Sequence, residues 1–381
     1  MAPYYIFLAL VIAIYAWYQK AYGNKVLLTA ILLLLVLFAG LRDSKVGTDT
    51  GSYTRKFQSL VVEDEVKDNP LYDPTIEGDT FWEQLQDEPG FYQLRLLARR
   101  LSNQYHVLLI MVALIVCCCI LTSIHLVSQN ELVSIFVFIT LGLYTFSFNA
   151  ERQGIAIAIY SLSIPFLIRK KFLYYSIIVI IAALFHKTII VTLPLYFLLT
   201  MRFSWKSALL IVVGVSIITS LMPLLIDFGT SLEQRYQLYG FSEETTGLGW
   251  GVTVFYTLLA IFFVWRRQFI DKRLLYRYDV FLHMIICAAI IYLVVAIMGL
   301  YVETNRFAAY FQISAIFLWA ELFANPSKKL SWGLTIVFVV GHLIYFYIFT
   351  DRMASLTPYI FNETLFGVDE STLINTVQAS Y

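Results

Sequence analysis

The chain has 381 residues, 59% hydrophobic and 14% charged, with 27 Lys and Arg against 26 Asp and Glu. Its apolar residues stand in long unbroken blocks without a 3.6- or 2-residue period, which excludes a water-soluble globular domain and describes an integral membrane protein. A net charge of +1 gives no reason to expect a nucleic-acid partner, so the information lies in how the charges are sorted along the chain.

A helix crossing a hydrocarbon layer of about 30 Å needs about 20 apolar residues, fewer where polar contacts draw its ends inward. This rule predicts an all-α polytopic fold with about 12 crossings, near 3–18, 26–41, 105–127, 131–149, 154–168, 172–185, 188–200, 207–227, 250–265, 281–300, 307–323 and 331–350. The first is not expected to be a cleaved signal peptide, because Lys20 and Lys25 follow the apolar segment instead of preceding it. Residues 1–41 hold the first two crossings, 42–104 an external polar loop, 105–350 the transmembrane core and 351–381 an external tail. Lysine and arginine in short loops resist translocation. The clusters Lys20/Lys25, Arg169/Lys170/Lys171, Arg202/Lys206, Arg266 to Arg277 and Lys328/Lys329 all fall on one side of these crossings. That side is expected to be cytoplasmic, which puts both termini and the acidic loop outside.

The second crossing runs straight into "GLRDSKVGTDTGSY", residues 40–53. Gly47 and Gly51 allow a tight backbone path, and Asp49 stands between the hydroxyls of Thr48 and Thr50. Two readings stand for Asp49: an aspartate that orients or deprotonates a sugar hydroxyl, or an Asx-turn that ends the helix. About 60 loop residues bury too little apolar area for an independent enzyme domain, so 42–104 is expected to roof the membrane part. From Pro89 it reads as a surface helix, with Phe91, Leu94, Leu97 and Leu101 on one face and Arg95, Arg99 and Arg100 away from it. Cys117, Cys118, Cys119 and Cys287 lie inside crossings. Consecutive helical positions fan apart by about 100°, so the triplet reads as packing rather than a metal site.

Charges at depth are functional candidates by default. The crossing 154–168 has about 15 residues between Arg152 and the "RKK" cluster, and 172–185 about 14 before His186; at 1.5 Å per residue each covers about 22 Å. Arg152 and His186 are therefore expected below the outer boundary at similar heights. Such half-length helices are tolerated where they line protein-enclosed or water-filled space. Arg235 in the second external loop, Arg306 in "YVETNRF", Arg42 and Lys187 extend an outward set of cations. A half-buried guanidinium calls for an anion, and its planar fork matches two phosphate oxygens. A plainer reading stands beside each: Arg152 snorkelling with Glu151 as its neutraliser, His186 as a structural turn residue, Arg235 and Arg306 as loop charges.

The stretches "GLRDSKVGTDTGSYTRKF", "EPGFYQLRLL", "FNAERQGIAIAIYSLSIPFLIRKKFLYYSIIVIIAALFHKTIIVTLPLYF" and "NRFAAYF", in this order, resemble the EpsG-like family of Wzy-type exopolysaccharide and O-antigen polymerases. The "RQGIA" and "FHKT" pair is the most specific part. The resemblance implies a GT-C-like polymerase of the bacterial inner membrane with its active site outside. Its substrate would be an undecaprenyl-pyrophosphate-linked oligosaccharide in membrane lipid, and a chain-length regulator and a flippase are candidate partner proteins. The family's motif positions fall on Arg42, Gly47, Asp49, Tyr53, Glu88, Arg152, Gln153, His186 and Arg306. Within that resemblance His186, Asp49 and Glu88 are the catalytic candidates. Arg152, Arg306, Arg42 and Arg235 would hold pyrophosphate, and Gln153 and Tyr53 would contact sugar. No cofactor is expected, although a divalent metal stays open because acidic residues are plentiful outside. A glycan ligase or oligosaccharyltransferase with the same donor, and a flippase or transporter, are the competing readings; the outward bias of the cations and the lack of a repeat argue against transport.

Overall fold

The computed structural model describes residues 1–21, 25–58, 60, 88–230, 248–300, 302–325 and 330–362, with backbone alone for 222–230, 248–249 and 302–303. Arg235, Lys328, Lys329, most of the acidic loop and the tail after residue 362 lie outside the described residues. In lipid every backbone polar group needs a partner within its own segment, so apolar blocks of this length become helices. In chain order these are α1 (Ala2–Lys20), α2 (Lys25–Gly40), α3 (Thr50–Gln58), α4 (Pro89–Leu101), α5 (His106–Val127), α6 (Glu131–Thr140), α7 (Phe146–Asn149), α8 (Glu151–Ser161), α9 (Ile164–Ile168) and α10 (Phe172–Ala183). After a 3₁₀ turn at Lys187–Val191 follow α11 (Thr192–Leu199), α12 (Trp205–Thr230), α13 (Leu248–Arg266), α14 (Leu275–Met298) and α15 (Val302–Asn305). The last are α16 (Ala309–Gln312), α17 (Ser314–Ala324) and α18 (Trp332–Ile348). No strand occurs among the described residues; Arg42 and Phe361 form an isolated antiparallel bridge.

The protein is thus an all-α polytopic membrane protein. Six described helices are long and apolar enough to cross a membrane, and five more apolar helices are 10–17 residues long. Several expected crossings are broken. Helix α6 stops at Thr140, and Gly142 (φ 75°) then turns the chain where a Cβ would strike the Phe349 ring. The 154–168 segment divides into α8 and α9 because Pro165 has no N–H for the Ser161 carbonyl; the Ser123 hydroxyl donates to that carbonyl instead, at 2.8 Å.

The chain forms two compact units, residues 1–118, 139–155 and 342–381 in one, and 119–138 with 156–341 in the other. The described part of the external loop belongs to the first unit with α1 and α2. There, Phe7 and Tyr359 stack on Phe38 at 4.1 and 4.2 Å, and Tyr4 meets Phe38 and Tyr359 edge-on. Each such pair is worth about 0.5–1.5 kcal/mol. The start of the tail is strapped to the end of α2: Asp43 N–H donates to Ile360 O (2.9 Å), Asn362 N–H to Leu41 O (3.1 Å) and the Tyr4 hydroxyl to Leu356 O (2.7 Å). In the second unit α14 is the central element, buried without a break from Tyr278 to Ala289. Its Asp279 accepts two hydrogen bonds from Arg267, at 2.6 and 3.0 Å, and its Arg277 pairs with Glu321.

Helix α4 forms where expected, but on a different face. Phe91, Leu94, Arg95 and Ala98 are buried, whereas Leu97 and Leu101 are 50% and 66% exposed. The Arg95 guanidinium lies 5.7 and 5.8 Å from the Phe91 and Tyr92 ring centres, so its apolar stem packs inward and its charge is retained by the aromatic faces.

Candidate functional site

The polar segment after α2 is folded against the α7 turn by two glycines. Gly47 adopts φ 100°, open to glycine at little cost, and a Cβ there would collide with Asn149 Oδ1. That close approach lets Thr48 N–H donate to Asn149 Oδ1 (3.0 Å) and the Thr50 hydroxyl donate to Phe148 O (2.8 Å). The Asn149 amide then donates to Ala354 O (2.7 Å), joining loop, turn and tail. Gly154 does the same for α8, because a Cβ there would stand 2.7 Å from Ser147 Cβ. The result places residues 151–153 beside the 43–50 loop. Asp49 precedes α3 as its N-terminal cap residue, half-buried, its carbonyl accepting Ser52 and Tyr53 N–H at 2.9 and 3.1 Å. Asp43 makes a side-chain turn of its own, its Oδ1 accepting Lys45 N–H at 2.9 Å.

Two ion pairs organise the centre. The Arg42 guanidinium lies 4.2 Å over the Phe148 ring, donates to Ala39 O and stands 3.6 Å from Glu151 Oε1, with both side chains buried. Neither Glu151 oxygen accepts a hydrogen bond from the described residues, and Arg95 and Arg152 also act on this carboxylate electrostatically. Arg152 makes an ion pair with Glu88. It donates to Glu88 Oε2 at 2.9 Å, with Arg152 34% exposed and Glu88 8%. Arg152 also hydrogen-bonds the Tyr53 hydroxyl, and Tyr53 packs edge-on to Phe91 of α4 at 5.8 Å. Burial pushes the Tyr53 hydroxyl up to about 12, against the opposing pull of Arg152. Gln153 is buried. Arg42, Gly47, Asp49, Tyr53, Glu88, Arg152 and Gln153 therefore all belong to the first unit, where direct contacts link Arg152 to Glu88 and Tyr53.

The remaining motif residues belong to the second unit. Half-buried His186 precedes the 3₁₀ turn in extended backbone, Lys187 is exposed, and the Thr188 and Tyr310 hydroxyls share a 2.5 Å hydrogen bond. That bond joins the "HKT" turn to the segment headed by exposed Arg306. Val191, Leu195, Phe307 and Phe311, which follow these two motifs, line an open apolar depression with Val215, Ile218, Thr219 and Ile291. No group of three or more His, Cys, Asp or Glu residues with metal-site geometry occurs among the described residues. None of the four cysteines is in a disulfide.

The sequence model of the EpsG family matches residues 25–361, with every motif residue above inside the match. The chain belongs to the EpsG family. No curated protein and no solved structure matches it. Membership in the EpsG family points to an integral membrane, glycosyltransferase-type polymerase of exopolysaccharide or O-antigen synthesis. Three residues of this cluster were not foreseen as parts of it: Asn149 as the clamp on the Thr48 amide, Arg95 turned inward, and Glu151 as the partner of Arg42. Only Glu151 carried a sequence signal, a carboxylate at the head of a short membrane helix.

Proposed function

We propose that this EpsG-family protein polymerises lipid-linked repeat units at the outer face of a bacterial inner membrane. A growing glycan would pass from undecaprenyl pyrophosphate to the non-reducing-end hydroxyl of a new lipid-linked unit. The observation that carries this reading is Arg152, a partly exposed guanidinium at the head of a short, broken membrane helix, already paired with a carboxylate and a phenol. When the acceptor oxygen attacks the anomeric carbon, the C–O bond to the lipid breaks and its electron pair stays on the pyrophosphate. Preorganised cations in a water-poor site stabilise that developing charge most.

Arg152 would hold the leaving pyrophosphate. Arg306 and Arg235 are assigned the same work from their motif and loop positions. Arg42, buried on Glu151, would serve by fixing the 43–50 loop. Asp49, Glu88 and His186 are the candidates for taking the acceptor proton, and Tyr53 and Gln153 for contacting sugar. The apolar residues that follow the Arg306 and His186 motifs would face the prenyl tail rather than the sugar. The twelve-crossing, GT-C-like topology, a cytoplasmic side for the basic clusters and dependence on undecaprenyl pyrophosphate belong to the same proposal.

The test is to supply purified protein in nanodiscs with a lipid-linked repeat unit and resolve the glycans by length. A ladder of multiples supports polymerisation. Transfer to an added foreign acceptor without a ladder would make the protein a ligase, and translocation without new bonds would make it a transporter.

A further inference from the structure

Arg152 already binds an anion of the protein's own. Glu88 reaches it from an unusual backbone conformation, φ 51° and ψ 90°, directly before Pro89. A proline ring crowds the residue before it and favours extended backbone there, and a helix-capping residue is ordinarily extended as well. A left-handed glutamate at that position is strained and persists only where its surroundings hold it. The Arg152 ion pair is one such hold. The first turn of α4 is another, since Glu88 O accepts Phe91 and Tyr92 N–H at 2.9 and 3.2 Å. Phe91 in turn packs on Tyr53, which bonds Arg152, so one strained joint couples the carboxylate, the phenol and the guanidinium. Arg42 and Arg95 are 2% and 6% exposed; of the three arginines around Glu151, Arg152 alone turns a substantial part of its side chain outward.

Resting on the polymerase reading, we propose that the Glu88 carboxylate occupies the Arg152 seat that a diphosphate takes, and that the diphosphate binds by displacing it. The planar fork that donates to one carboxylate oxygen at 2.9 Å can donate to two phosphate oxygens in the same plane, with more charge facing it. Release of the left-handed joint at residues 88 and 89 offsets part of the cost of breaking the ion pair. The displaced carboxylate becomes available to an acceptor hydroxyl once the donor diphosphate is seated, which orders the two substrates.

The test uses the full chain in nanodiscs of zwitterionic lipid, titrated calorimetrically with inorganic pyrophosphate at fixed ionic strength, with melting temperature as the check on folding. Glu88→Gln keeps the shape and removes the competing charge, so it should bind pyrophosphate about tenfold tighter than the parent protein. Arg152→Gln should bind about tenfold weaker, and Glu88→Gln combined with Arg152→Gln should show no gain over Arg152→Gln alone. Glu88→Asp, which keeps the charge on a shorter arm, should fall between parent and Glu88→Gln, and it serves if the amide variant does not fold. Unchanged affinity in both Glu88 variants, a gain that survives loss of Arg152, or no measurable pyrophosphate binding by any of them would overturn the proposal. A preparation that shows the exchange but forms no glycan ladder overturns the polymerase reading and supports the exchange. A ladder-forming preparation without the exchange does the reverse.

Discussion

At the scale of single residues, the centre of the first unit is built from charges that are each committed to a partner. Arg42 and Glu151 are both buried and oppose one another at 3.6 Å, so removing either charge alone strands the other. Glu151→Leu or Arg42→Met should each destabilise the protein by about 3–5 kcal/mol, while the double apolar variant should recover most of that loss. Thermal unfolding in one detergent reads all three. Tyr53, raised to about 12, keeps its proton where an ordinary tyrosine near 10 is half ionised, so it stays neutral beside Arg152 across the working pH range. Because the unfolded chain gives up this proton first, its contribution to stability falls as pH rises from about 10 to 12. The ultraviolet titration difference between the parent and Tyr53→Phe should therefore show no phenolate step below about pH 11. These residues were legible as polar islands in apolar sequence. Their pairing was not, because Glu151 and Arg152 point about 100° apart on α8 and so serve different partners.

Among the elements, the site depends on helices that stop short. Gly142 turns the chain after α6 and Gly154 lets α8 approach Ser147, and Phe148 and Asn149 lie against the 43–50 loop. Gly154→Ala should drive α8 away from Ser147 and lower polymer yield at least tenfold, with helical content unchanged by circular dichroism. Unchanged yield would detach the glycine from the site. Block lengths in the sequence indicated which crossings are short, yet not where 131–149 breaks. That break depends on Phe349, some 200 residues away, a packing partner no local window contains. Helix α4 shows the opposite failure: apolar periodicity put Leu97 and Leu101 inside, whereas aromatic faces at Phe91 and Tyr92 draw Arg95 inward instead.

On the scale of the whole molecule, the family match extends over residues of both compact units. The first unit carries Arg152, Glu88, Tyr53 and Asp49, and the second His186 and Arg306. These residues stood out in the sequence as polar islands because charge in a membrane segment is costly and so conspicuous. The central claim is that Arg152 holds the pyrophosphate during chain transfer. Its most direct measurement is glycan length from lipid-linked repeat units supplied to the parent protein and to Arg152→Ala, both in nanodiscs and both shown to be folded by melting temperature. The account predicts a ladder from the parent and a hundredfold or greater loss of elongation in Arg152→Ala; a ladder of undiminished length and rate from Arg152→Ala would contradict it.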